Sequence, residues 1–248
     1  MTRGICPFAT LITGIKTQEP GAPARVGFCD HVAAGYMETM RRPSFWNDEQ
    51  GTSVHFAIGK AGEIIQFVYI FDTAWAQGRL GPRVTWQPYE TMARETATGN
   101  PNAWLISTEH AGWPSEEWTP AMYESDLRLK RWCVAECRGA GMDLLRFGLD
   151  SLTGHYMFDG AARANCPGPH WPQARLFADL TAAPLKELTP ALEEELADSR
   201  ALALFLREVG AGRLRVVPIG EHGSTLTVEI RDGTRQPLAS RPMFDITK

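Results

Sequence analysis

The stretch that most constrains this chain is residues 154–169, Gly-His-Tyr-Met-Phe-Asp-Gly-Ala-Ala-Arg-Ala-Asn-Cys-Pro-Gly-Pro. Its glycines, prolines and Asp-Gly step are turn punctuation, so no helix sets the spacing between His155 and Cys166. Such a segment keeps its shape through what it packs against or binds. A His and a Cys on one loop are a candidate half of a metal site. Zinc takes neutral imidazole and thiolate, usually in tetrahedral geometry, with three protein ligands and a water where the site is catalytic. The competing reading is a hydrogen-bonded structural His and an inert packed Cys, and spacing alone does not separate the two.

The chain has 248 residues and a net charge of −4. That length suits one medium domain plus a small appendage. The charge balance argues against a nucleic-acid partner, which calls for a basic patch or stripe. No apolar run is long enough to span a bilayer, and the first residues lack the apolar core of a signal peptide, so the expected product is soluble and made in the cytoplasm. The five cysteines are an odd set without disulfide-scaffold density, which fits a reducing compartment. Cys133 and Cys137, four apart in a helical pattern, read as one packed helix face.

Taken in order, residues 1–25 read as an irregular entry with a short strand at 9–15. Residues 26–35 are an apolar run that ends on His31 and passes into small residues, and a strand end is a rigid place to fix a ligand. Cys29, two residues earlier, points to the same side of the strand and competes with the other candidate thiol. Residues 41–51 read as a loop able to wall a groove. Two strand-like runs within 53–68, joined by a Lys-Ala-Gly turn, are a hairpin signal. Residues 79–102, polar and rich in Gly and Pro, read as a long surface loop of the kind that borders binding sites. Residues 103–112 are apolar until Glu109 and His110, and a carboxylate at the end of a buried strand calls for a salt bridge, a cap or a chemical task. Thr119-Pro120 opens a helix that stops near Gly139, and 171–180 should form a closing helix. Two prolines within 181–190 mark a linker. Beyond it, 192–209 reads as an amphipathic helix, and 213–217 and 225–234 as hairpin strands.

Thr153-Gly154-His155, followed by Asn165-Cys166-Pro167-Gly168-Pro169, Trp171-Pro172 and Leu176-Phe177-Ala178-Asp179-Leu180, resembles the end of the zinc amidase domain of phage and bacterial cell-wall lysins. These are N-acetylmuramoyl-L-alanine amidases. His31 with its small-residue sequel, the hairpin with Asp72-Thr73-Ala74-Trp75, and Glu109 extend the resemblance over residues 26–180. It implies an α/β fold for residues 1–180, with a mixed central β-sheet flanked by helices, like the amidases and peptidoglycan recognition proteins. Residues 181–190 are then a linker, and 191–248 a small C-terminal α+β appendage serving wall binding, oligomerisation or packing.

The resemblance also implies that His31, His155 and Cys166 hold Zn²⁺ and that Glu109 is the acid/base residue. Relatives place a Lys two or three residues before the third ligand. Here Arg163 stands three before it and takes the role of stabilising the oxyanion, with binding of a stem-peptide carboxylate as its other reading. Ala76 replaces a His found after the Trp in many relatives. Val54 and Ser53 precede His55 where some members of the superfamily carry a catalytic Tyr next to it, and His55 itself reads as packed or substrate-facing. The implied substrate is the peptidoglycan amide between N-acetylmuramic acid and L-alanine, cut during lysis after release from the cytoplasm. A module that binds peptidoglycan without cutting it, a zinc endopeptidase acting within the stem peptide and a Cys-His thiol enzyme stay open, as does the oligomeric state.

Overall fold

The computed structural model describes residues 4–16, 18–78, 80, 84–182, and the strands at 225–231 and 237–245. The chain divides into two compact units, Met1–Ala182 and Ala183–Lys248.

The first unit is built on a sheet of six strands: β1 (Thr10–Leu11), β3 (Gly27–Val32), β4 (Phe56–Ile58), β5 (Ile64–Gln66), β7 (Leu105–His110) and β8 (Leu152–Gly154). Their spatial order is β1-β5-β4-β7-β3-β8. β4 and β5 pair antiparallel as the expected hairpin, whereas β4–β7, β7–β3 and β3–β8 are parallel. A second, two-stranded sheet joins β2 (Gln18–Glu19) to β6 (Thr73–Ala74). The central strands β3 and β7 are buried on both faces, as parallel strands covered by helices are, and each passes from apolar residues (Phe28, Cys29; Leu105, Ile106) to polar ones (Asp30, His31; Glu109, His110) toward its carboxyl end. Alternation along β3 and β7 sends Phe28 and Ile106 into one core cluster and Cys29 and Leu105 into the other.

The main packing helix is α3 (Pro120–Gly139), with α1 at Met37–Met40, α2 at Tyr89–Thr96 and α4 at Gln173–Thr181. The Thr119 side chain accepts the Met122 N–H at 3.1 Å and Pro120 occupies the first helical position, as the Thr-Pro pair predicts. Leu127, Cys133 and Cys137 of α3 join the Phe28 cluster, so the paired cysteines are packing groups.

Three readings change. The strand expected at 9–15 is only Thr10–Leu11. Residues 79–102 contain α2 and a 3₁₀ turn at Pro101–Ala103. Tyr89, Met92 and Ala93 of α2 face the cluster that holds Trp86 and Trp104 at helical spacing, but the helix is short and lies in a polar stretch punctuated by Gly and Pro, so the segment reads as a loop. Residues 45–50 form a π-helical turn, and its Trp46 is buried, donating from Nε1 to the Met40 carbonyl at 2.8 Å. That side chain fills the core instead of walling a groove.

In the second unit β9 (Thr225–Arg231) pairs antiparallel with β10 (Pro237–Asp245), a segment not read as a strand. The expected linker beyond residue 182, the helix at 192–209 and the strand at 213–217 lie outside the described residues.

Candidate metal centre

The ends of three adjacent parallel strands meet at one place. His31 is the penultimate residue of β3, Glu109 occupies the same position in β7, and His155 directly follows β8. His31 and Glu109 are register partners, so both side chains leave the sheet on the same face. Ligands and reacting groups commonly collect at the carboxyl ends of strands in open α/β sheets.

Cys166 arrives by loop closure. The Tyr156 N–H donates to the Cys166 carbonyl at 3.1 Å, the Cys166 N–H to the Arg163 carbonyl at 2.9 Å, and the Arg163 N–H to the Asp159 carbonyl at 2.9 Å. The two ends of the His155–Cys166 loop are thereby tied together. Two glycines permit the approach: a Cβ on Gly154 would come within 2.6 Å of Pro167, and one on Gly168, at φ +109°, would collide with the Pro114 carbonyl.

One donor atom from each of His31, His155 and Cys166 lies within 4.8 Å of the others. His155 Nε2 donates to the Gln77 carbonyl at 2.9 Å, which leaves the lone pair on Nδ1. That Nδ1 faces His31 Nδ1 at 3.0 Å. The Cys166 sulfur takes the Val32 N–H at 3.4 Å. Burial, with His155, His110 and Arg163 adding to it, holds His31 well below the ordinary imidazole range, and burial brings His155 down to about 4. Both rings are therefore neutral at neutral pH, the form that binds metal. Burial, reinforced by the Glu109 charge, pushes the Cys166 thiol up to about 12. Two imidazole nitrogens and a sulfur converging in this way form a donor set that fits zinc.

Glu109 stands beside this set. Its Oε2 is buried without a hydrogen-bond partner, and burial lifts its carboxyl to about 8 although the charge of Arg163 pulls the other way. Arg163 itself is exposed on the loop, and its charge is felt at His31, His155, Cys166 and Glu109. All five candidates from the sequence thus belong to one locality. Cys29 does not join it: the thiol is fully buried with Trp86 and Trp104, and burial keeps it protonated. His55 is a packed residue. Its Nδ1 accepts the Ser107 N–H at 3.0 Å and its Nε2 donates to the Asp72 carbonyl at 2.9 Å, beside the buried Arg25 guanidinium.

Sequence reasoning missed the groups that orient the candidates. Gln77 supplies the carbonyl for His155, and its own N–H, like that of Ala76, is held by Asn102 Oδ1 at 2.9 Å. On the opposite face of β3, Asp30 Oδ1 accepts from the Lys130 ammonium at 2.8 Å, while Asp126 accepts from the same ammonium at 2.6 Å. Asp30, His110 and Asp126 also have donor atoms grouped tightly enough for a metal. Lys130 already supplies the cation there.

A six-stranded mixed sheet flanked by helices, with this constellation at its parallel strand ends, defines an α/β domain of the amidase and peptidoglycan-recognition-protein class. The chain is similar in fold to AmpD, solved as a selenomethionine derivative, at 17% identity and a TM-score of 0.50 over 73% of this chain and 99% of that one. The endolysin N-acetylmuramoyl-L-alanine amidase LysCS from Clostridium intestinale URNW matches at 16% identity and a TM-score of 0.49, over 71% of this chain and 97% of its own. No curated protein matches. The profile of the N-acetylmuramoyl-L-alanine amidase family, Amidase_2, matches residues 20–169, and the chain belongs to that family.

Proposed function

We propose that this chain is a zinc-dependent N-acetylmuramoyl-L-alanine amidase that cuts the amide between the lactyl group of N-acetylmuramic acid and the L-alanine of the stem peptide, acting on the wall after its release during lysis. The observation that carries the reading is the convergence of His31, His155 and Cys166 beside the unpartnered Glu109 carboxyl.

Zinc held by the three donors would polarise the amide carbonyl, acidify water and draw Glu109 toward its carboxylate form. Glu109 accepts the water proton and delivers it to the leaving amine, a task suited to a carboxyl that already sits near neutral pH. Arg163 offers a guanidinium to the oxygen that gains charge as water adds to the carbonyl. Asn102 and Gln77 keep His155 in the tautomer that leaves Nδ1 free.

Cys166 and Glu109 favour hydrolysis over binding alone, since a recognition module needs neither. Mass spectrometry of digested muropeptides tests the proposal. The expected products are intact stem peptides with a free L-alanine amine, together with peptide-free glycan. Fragments cut within the stem would instead make the chain an endopeptidase.

A further inference from the structure

Directly behind the candidate centre, on the face of the sheet covered by α3, lies a closed polar cluster to which the reaction assigns no task. Asp30, His110, Asp126 and Lys130 are all buried. Lys130 joins the two carboxylates, and the Asp30 Oδ2 takes the Trp171 indole N–H at 2.9 Å. Burial alone would strip the Lys130 proton, but Asp126 and Asp30 outweigh it and hold the ammonium above its ordinary value. His110 Nε2 stands 3.2 Å from Asp126 Oδ1, and the Trp118 ring covers the imidazole at 4.0 Å between centroids. His110 Nδ1 lies 3.1 Å from the backbone carbonyl of His31. A carbonyl only accepts, so Nδ1 is the donor.

The members of this cluster sit next to the parts of the centre. Asp30 precedes His31, His110 follows Glu109, and Trp171 follows the Cys166 loop. Desolvating four ionisable side chains is unfavourable unless their geometry is held closely, and replacing such groups with packed apolar ones is often neutral or stabilising. A purely structural account therefore leaves the cluster's presence under a reactive centre unexplained.

We propose that His110 is a positioning residue for the metal ligand His31: it holds the His31 backbone from behind the sheet, and Lys130, bridging Asp126 and Asp30, fixes the carboxylate that its Nε2 faces. The inference rests on the zinc reading of the centre. It extends that reading to a second layer, where loss of an outer partner typically weakens metal affinity about ten- to a hundredfold.

The test compares His110→Asn with His110→Leu in the full chain. The two replacements have nearly the same size, and only the Asn amide can donate to the His31 carbonyl in place of Nδ1. Zinc affinity of each apoprotein is measured by competition with a chromophoric chelator, and apoprotein melting is followed in parallel. The expected result is a zinc Kd within a few-fold of the parent for Asn and weakened about tenfold or more for Leu, at similar melting temperatures. Equal zinc affinities in the two variants would overturn the proposal, because His110 would then be packing only. If neither variant folds, Trp171→Phe decides it, since that change cuts the Asp30 end of the cluster from its half-buried side. Zinc affinity should then fall several-fold, and an unchanged value would overturn the proposal. A parent chain that binds no zinc would instead sink the reading of the centre itself, a failure visible before any variant is made.

Discussion

Glu109 and His31 are register partners on two parallel strands, so the proposed proton carrier and the proposed first ligand are held side by side by the sheet itself. Changing the carboxyl to an amide leaves that backbone arrangement untouched. Glu109→Gln should keep the fold and bind zinc, and lose on the order of a hundredfold to ten-thousandfold in turnover. Near-parental rates of muropeptide cleavage would demote Glu109 to a structural group.

The same substitution has a signature in the metal-free protein. Burial places the folded-state pKa of Glu109 at about 8, against ~4.3 for an unfolded glutamate. The folded chain therefore keeps a proton that the unfolded chain has released. This contribution is complete below about pH 4 and is lost as pH rises from ~4.3 toward 8. His155, lowered to about 4 in the folded state, acts in the opposite sense between ~4 and ~6.5, and does so in parent and variant alike. The apoprotein's melting temperature should therefore fall more steeply, or rise less, across that window than that of Glu109→Gln. Parallel curves would refute the raised value.

Zinc uptake should show which thiol is the ligand. Cys166→Ser is expected to lose the metal and the activity together, because a hydroxyl is a far poorer ligand than a thiolate. Cys29→Ser, deep in the Trp86–Trp104 cluster, should keep about one zinc per chain. Since both imidazoles are already neutral, uptake at pH 7 should release about one proton from Cys166, plus a fraction from Glu109 that disappears in Glu109→Gln. Calorimetry in buffers of different ionisation enthalpy measures that release, and retention of zinc by Cys166→Ser would refute the assignment.

Arg163 is exposed, so its removal should do little to stability. Arg163→Ala should lower kcat by roughly tenfold to a hundredfold, somewhat less than the loss of a buried oxyanion donor, with Arg163→Lys recovering part of it. A rise in KM at constant kcat would instead give the guanidinium to a substrate carboxylate.

Lys130→Met removes the cation between two buried carboxylates. Breaking a buried pair by deleting one partner costs about 3–5 kcal/mol, so this change should be among the most destabilising single substitutions in the first unit. Denaturant unfolding showing a loss below about 1 kcal/mol would mean that the carboxylates find another neutralising partner.

A chain ending at Leu180 retains every residue proposed for metal binding or proton transfer. It should cleave small soluble muropeptides, while either affinity for whole sacculi or thermal stability declines. No change in all three would leave residues 181–248 without either of the roles proposed for them.

What could be read in the sequence was local. The apolar runs of β3 and β7 stop at His31 and Glu109, and the turn-rich segment around His155 and Cys166 needs a partner to hold it; both are properties of neighbouring residues. Burial and tautomer are not. His55 lies in as apolar a run as His31, just before β4, and only the Ser107, Asp72 and Arg25 groups around it show that its nitrogens are already engaged. Asp30 and Lys130 meet across 100 positions, with no spacing to signal it. Helix α2 was hidden because its apolar stripe, Tyr89, Met92 and Ala93, is short and lies within a polar stretch punctuated by Gly and Pro.

The strand order carries a consequence for how this centre comes into being. β3 is synthesised early, but both of its neighbours, β7 and β8, come later in the chain, and His31 meets His155 only after 124 further residues. At ordinary elongation rates that interval is on the order of ten seconds on the ribosome; β3 waits through the first part of it for β7 and through all of it for β8, and Asp30 has no ammonium until Lys130 is made. Contacts so distant along the chain also close slowly. A nascent chain arrested before Cys166 therefore contains every strand of the main sheet and still lacks the last of the three proposed donors, so the proposed centre is completed only after the sheet is.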